Sequence, residues 1–185
     1  MNSRRSFITR STLSAAGFGL LVGAPKTVFG AAPAEADLGI LNTALALEHE
    51  AIAAYQIGAE SGLLKGALLD TAVLFQDHHK THRDAQMDAI KKLGGKPVTA
   101  KSMDDYKKSP KLGIGTIKTA EDVLRLAQKL ELGAVNAYIG VMPAFVDRNL
   151  STVAAKLLAD ETMHYTALTA ALNEKLPKAG LSFGG

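Results

Sequence analysis

Three carboxylates and three imidazoles stand out because of the apolar company they keep: Glu48, Glu131, Glu161, His79, His82 and His164. Their spacing repeats between the two halves of the chain. Leu47-Glu48-x-x-Ala51-Ile52-x-Ala54-Tyr55 returns 83 residues later as Leu130-Glu131-x-x-Ala134-Val135-x-Ala137-Tyr138. His79-x-x-His82 returns 82 residues later as Glu161-x-x-His164. Residues three apart share one face of a helix, so each pair would present two ligands together. An ionised carboxylate in an apolar interior costs on the order of several kcal/mol unless charge or hydrogen bonds offset it. The seams that carry these glutamates contain no Lys or Arg. Oxygen and imidazole donors on facing helices suit a divalent cation, with Fe, Mn and Zn all compatible. The other reading of the same residues is a hydrogen-bonded polar network with water that sets helix register and does nothing else.

Four helical segments are needed to position these groups. The first is predicted over Ala36–Glu60, where Leu38, Leu41, Leu45, Glu48, Ile52 and Tyr55 step by three and four residues. A second runs from Gly66 to Leu93, with Phe75, His79, His82 and Gln86 on its seam, and Gly94-Gly95 ends it. Lys96–Lys118 is rich in Lys, Ser, Asp and Gly; it is long enough to cross a bundle, with room for a short helix at Met103–Lys108. Thr119 caps a third helix that carries Glu131 and Tyr138 and continues to Arg148, loosened at Pro143. Ser151 or Thr152 caps a fourth, with Glu161 and His164 on its seam. Short links within each pair and a long link between them predict an all-α four-helix bundle, two antiparallel hairpins joined by a crossover over residues 35–176. Residues 177–185 read as a loose tail.

This pattern resembles the ferritin-like superfamily of carboxylate-bridged metal proteins, in which two helices each supply one Glu and the other two each supply a Glu-x-x-His pair. Within it, the chain from Leu38 to Leu172 is similar to the exported bacterial ferritin-like proteins related to desiccation-associated proteins. The resemblance places Glu48 and Glu131 as the single carboxylates, Glu161 with His164 as one pair, and His82 as the His of the other. It implies a di-iron or di-manganese oxidase or peroxide-detoxifying stress protein; a non-catalytic protein holding one ion, or a metal-free protective bundle, are the other readings. His79 departs from the pattern, which has Glu there. An imidazole cannot bridge two ions as a carboxylate does, and its loss of a negative charge leaves three anionic ligands for two divalent cations. Asymmetric dinuclear binding, or a single ion, is therefore expected. Tyr55 and Tyr138, two turns beyond the seam glutamates, could donate hydrogen bonds to the ligands. His78 reads as a boundary residue, His49 and Glu50 as solvated, and Asp77 and Asp160 as neighbours of the site at most.

Composition excludes several other chemistries. The 185-residue chain has no Cys, so disulfides, thiolate ligands and iron–sulfur clusters are absent. Residues 1–34 read as a signal peptide of the twin-arginine type: Ser3-Arg4-Arg5-Ser6-Phe7-Ile8, a mildly apolar run over Leu13–Ala24, then Pro25-Lys26 and small-residue cleavage sites near Ala34. That run is too short to anchor the chain across a bilayer of ~30 Å. The expectation is export by the twin-arginine machinery to the periplasm or beyond, with no stable membrane anchor. These residues hold four of the 21 basic groups and no acids, which leaves 17 basic against 18 acidic groups, net −1. A nucleic-acid partner thus has no electrostatic basis. Homo-oligomers are compatible with the fold.

Overall fold

The computed structural model describes residues 33–184. The expected signal segment, residues 1–34, therefore lies outside the described residues except for its last two, which already belong to the first helix. Among the described residues four long helices form the bundle: α1 (Pro33–Glu60), α2 (Ala67–Lys92), α4 (Ala120–Val141) and α5 (Arg148–Ala171). The short α3 (Met103–Lys107) lies on the crossover, followed by a 3-10 turn at Ile114–Thr116. Helices α1 and α2 pack as one hairpin and α4 and α5 as the other; α1 also meets α4, and α2 meets α5. There is no strand among the described residues, and the architecture is an all-α ferritin-like bundle with a crossover. No helix among them is long and apolar enough to cross a membrane.

Local chemistry explains where the helices stop and start. Gly94 has φ +77°, and its N–H bonds the Lys91 carbonyl while the Gly95 N–H bonds that of Ile90. This pair of bonds satisfies the last carbonyls of α2 and needs a residue at ease in the left-handed region. Ser102 with Asp105 and Thr119 with Asp122 form reciprocal caps on α3 and α4.

The α4–α5 junction differs from the sequence expectation. Helix α4 ends at Val141 instead of Arg148, because Pro143 has no N–H to continue it; Met142–Ala144 tighten into a 3-10 turn and Phe145 is extended. Asp147, not Ser151 or Thr152, caps α5, accepting from the Asn149 N–H at 2.8 Å. The buried Asp37 carboxylate on α1 accepts from the backbone N–H groups of Val146 and Asp147 at 2.8 and 3.0 Å. It ties this junction to the start of the bundle.

Among the described residues the buried apolar side chains form four clusters, and two of these plug the bundle on either side of its middle. One gathers Tyr55, Leu64, Phe75, Leu124 and Leu168; the other gathers Leu41, Leu45, Ile90 and Leu150. Between them lies a polar layer. After Leu172 the chain has no helix; Phe183 meets Tyr165 edge-on, and the Gly184 N–H donates to Asn136.

Candidate metal centre

All six residues singled out from the sequence reach the polar layer and are buried there. Helix α1 contributes Glu48, α2 contributes His79 and His82, α4 contributes Glu131, and α5 contributes Glu161 and His164. They form two overlapping groups whose ligand atoms lie within 4.8 Å of one another: Glu48, His79, His82 and Glu161, and His79, Glu131, Glu161 and His164. His79 and Glu161 belong to both groups, facing each other from α2 and α5. A heptad separates each single Glu from its Tyr, and the tyrosines cross over. Tyr55 on α1 donates to Glu131 on α4, while Tyr138 on α4 donates to Glu48 on α1 at 2.6 Å. Burial, and then the adjacent Glu131 and Glu48 carboxylates, push both phenols well above their usual range, so they stay protonated donors.

The two histidines of the Glu-x-x-His type positions turn the same atom inward. His82 Nδ1 lies 3.1 Å from Glu161 Oε1, and its Nε2 donates outward to Asp160 Oδ2 at 3.1 Å. His164 Nδ1 lies 3.4 Å from Glu131 Oε2 and 3.5 Å from Glu161 Oε2, and its Nε2 is 2.9 Å from His78 Nδ1. His78 is held below its usual pKa, by burial and by neighbouring imidazoles, whereas His164 is held above it. His164 therefore donates and the neutral His78 accepts. An imidazole whose outer N–H is held in this way presents its other nitrogen at a fixed angle to a metal.

His79 is built differently. Its Nδ1 is 2.8 Å from Glu48 Oε2 and its Nε2 is 3.2 Å from Glu131 Oε1, so both nitrogens face carboxylates. Burial disfavours its cation, but bonds to Glu131 and Glu48 outweigh that and lift its pKa well above the usual value. Without metal it is an imidazolium bridging two helices. Burial likewise opposes the charged form of Glu48, yet bonds from His79 and His82 take its pKa down to about 2. His82 is lifted to about 10, against burial, by Glu161 and Glu48. Burial and the adjacent Glu131 carboxylate raise Glu161. Glu131 is carried well below the usual range, in spite of burial, by Glu161, His164 and His79.

The donor set fits a divalent cation, and the fit is uneven. Glu131 Oε2, Glu161 Oε2 and His164 Nδ1 are buried with no hydrogen-bond partner, and the last lies within 3.5 Å of the other two. Unpartnered buried polar atoms are costly, and one cation would satisfy all three. On the opposite side the Glu48 oxygens are already engaged by Tyr138, by Gln86 at 3.5 Å and by His79. Gln86, which also donates to Tyr138 at 2.7 Å, was legible only as a seam residue. His78, expected as a boundary residue, bonds His164, and Asp160, expected as a neighbour of the site at most, bonds His82. Asp77 instead pairs with Lys80, His49 lies 3.2 Å from the Val98 carbonyl, and Glu50 pairs with Lys111.

Solved structures of similar shape share this architecture. A conserved hypothetical protein of Mycobacterium tuberculosis superposes with a TM-score of 0.66 at 21% identity, covering 81% of this chain and 99% of that one. A dodecameric thioferritin, the bacterioferritin-related protein of Bacteroides fragilis, gives 0.63 at 22%, with 76% and 86% covered. A ferritin-like, diiron-carboxylate protein of Bacillus anthracis gives 0.62 at 23%, with 78% and 100% covered. The comparison with curated proteins finds no match. The ferritin-like domain family matches residues 36–174, which include every residue of the polar layer, and the chain belongs to that family.

Proposed function

We propose that this protein is an exported ferritin-like metal-binding protein that holds one divalent ion firmly between Glu131, Glu161 and His164. The observation that carries the reading is the convergence of three unpartnered buried donors from α4 and α5. Two carboxylates and an imidazole suit Fe or Mn, and Zn as well. Iron or manganese held there would supply one-electron redox chemistry toward dioxygen or peroxide, which makes an oxidase or peroxide-detoxifying stress role the activity to assay. The chain's own residues have separate tasks. His78 orients His164, Tyr55 fixes Glu131, and the apolar plugs on either side of the layer exclude water.

The second position, between Glu48, His82 and Glu161, is the weaker one. Its donors are already hydrogen-bonded, and His79 stands where a bridging carboxylate would complete it. Non-catalytic sequestration of a single ion follows if redox turnover is absent. Residues 1–34 would direct the folded, metal-loaded chain through the twin-arginine machinery to the periplasm. Because one relative of similar shape is described as dodecameric, a homo-oligomer is the state to look for in solution.

Elemental analysis of the protein recovered from the periplasm tests the core of the reading. About one Fe, Mn or Zn per chain is expected. Absence of metal both from this protein and from its His79→Glu variant would overturn it.

A further inference from the structure

A cavity of about 120 Å³ lies at one end of the bundle, between the C-terminal halves of α1 and α5 and the N-terminal halves of α2 and α4. Protein interiors pack densely, with few voids larger than a water molecule, so a space of this size is unusual. Its walls are almost entirely carbon. The Thr71 hydroxyl is engaged with the Ala67 carbonyl at 2.7 Å, and the Tyr55 hydroxyl is engaged with Glu131. A polar ligand would find no partner there, and water would find too few. An engineered apolar cavity of ~150 Å³ stays dry and takes up benzene or xenon, which sets the scale for what this one can hold.

Two of its walls touch the metal centre. Tyr55 presents its ring to the cavity and its hydroxyl to Glu131. Phe75 lines the cavity and stacks on His164, with ring centroids 4.1 Å apart. At the other end, an outward-facing pocket shares Ile57, Gly58, Ile114, Ile117 and Val123 with the inner space. A Cβ on Gly58 would meet Val123 Cγ1 at 2.9 Å, so glycine lets α1 and α4 close together at this point. Ile114 and Ile117 of the crossover stand between the two spaces together with Ile57 and Gly58 of α1 and Val123 of α4.

We propose that this cavity is a binding site for a small, neutral, apolar molecule, no larger than a benzene ring, held one aromatic side chain away from the metal ligands. The position of the occupant beside an ion rests on the function proposed above; occupancy itself needs no metal. Methyl-resolved NMR of the full-length protein, titrated with benzene before and after treatment with a chelator, tests it. Saturable shifts confined to methyls that line the cavity, those of Val123, Leu124, Leu168 and Ile117 among them, are expected in both forms. Ala127→Leu and Ala72→Leu, each adding carbon to a buried wall, should weaken benzene binding at least about tenfold while the circular dichroism and melting transition are retained. Two different walls are used so that one misfolded variant does not decide the matter. No saturable shift in the parent protein, undiminished binding in both variants, or phenol binding as tightly as benzene would each overturn the assignment. Benzene binding in a protein that elemental analysis finds metal-free in every form would leave the cavity standing and remove only its metal neighbour.

Discussion

His79 is the residue on which the proposed one-ion stoichiometry turns. Its two nitrogens hold Glu48 and Glu131 from opposite sides, at 2.8 and 3.2 Å, in the place where a carboxylate would serve two ions. Replacement by Glu removes the imidazolium and returns an anionic oxygen donor. The His79→Glu variant should therefore bind a second ion, raising the metal-to-chain ratio from about one toward two in elemental analysis. Asp160 moderates the missing charge from outside, through His82, but its carboxylate is about half exposed and so partly screened. His78 would act on a bound ion through His164. Loss of its ring in His78→Ala should weaken metal affinity by about 10–100-fold in a calorimetric titration, with the fold unchanged. Asp160→Asn should affect the tighter site less, because it supports His82 instead. Equal losses in the two variants would argue against the unequal positions proposed here.

The helix termini were largely readable, because caps are local chemistry. Thr119 with Asp122 and Gly94 with Gly95 behave as their residue types predict, and the short crossover helix forms at Met103–Lys107. Gly94→Ala should cost about 1 kcal/mol, since an L side chain at φ +77° is strained, and should lower the melting temperature by roughly 2–4 °C. The α4–α5 junction was misread for a reason that is not local. Pro143 marks a weak point but not its outcome, and Asp37, more than 100 residues away, receives the two N–H groups that the turn leaves open. Asp37→Ala would leave both donors without their carboxylate acceptor in a part-buried setting. A loss of about 2 kcal/mol in denaturant unfolding is expected, with hydrogen-exchange protection reduced around Val146.

At the scale of the molecule, the pairing of histidines and glutamates makes the metal-free bundle sensitive to pH on both sides. His82 has a folded pKa of about 10 against 6.5, and His79 is also raised, so the native state holds extra protons between these values. Their contribution is fully present below pH 6.5 and fades as pH rises toward 10. Glu48, lowered from 4.5 to about 2, contributes above pH 4.5 and loses that contribution as pH falls toward 2. Thermal melts of chelator-treated protein should therefore be highest between about pH 4.5 and 6.5. A metal held through His164 Nδ1 would displace the proton that Glu131 and Glu161 favour on that imidazole, so metal affinity should increase as pH rises. With free metal at about 100 times its dissociation constant, the fold should gain roughly 2.7 kcal/mol, and a melt unchanged by chelation would speak for a metal-free bundle. For export, a reporter fused to residues 1–34 should reach the periplasm, and replacing Arg4 and Arg5 with Lys should strand it in the cytoplasm.

Periodicity and duplication were enough to recognise four helices, the polar seams on them and all six residues that meet in the middle, because an amphipathic helix writes its buried face into every third and fourth position. Single residues that depend on a neighbouring helix were beyond that reach. The exchange of tyrosines between α1 and α4, the support of His164 by His78, the Glu131 and Glu161 oxygens without a hydrogen bond, and the apolar cavity behind Phe75 all arise between segments far apart in the chain. A linear pattern states which face of each helix turns inward. How those faces are rotated and spaced against one another depends on packing across the whole bundle, and on that rest both the two unequal donor groups and the cavity beside them.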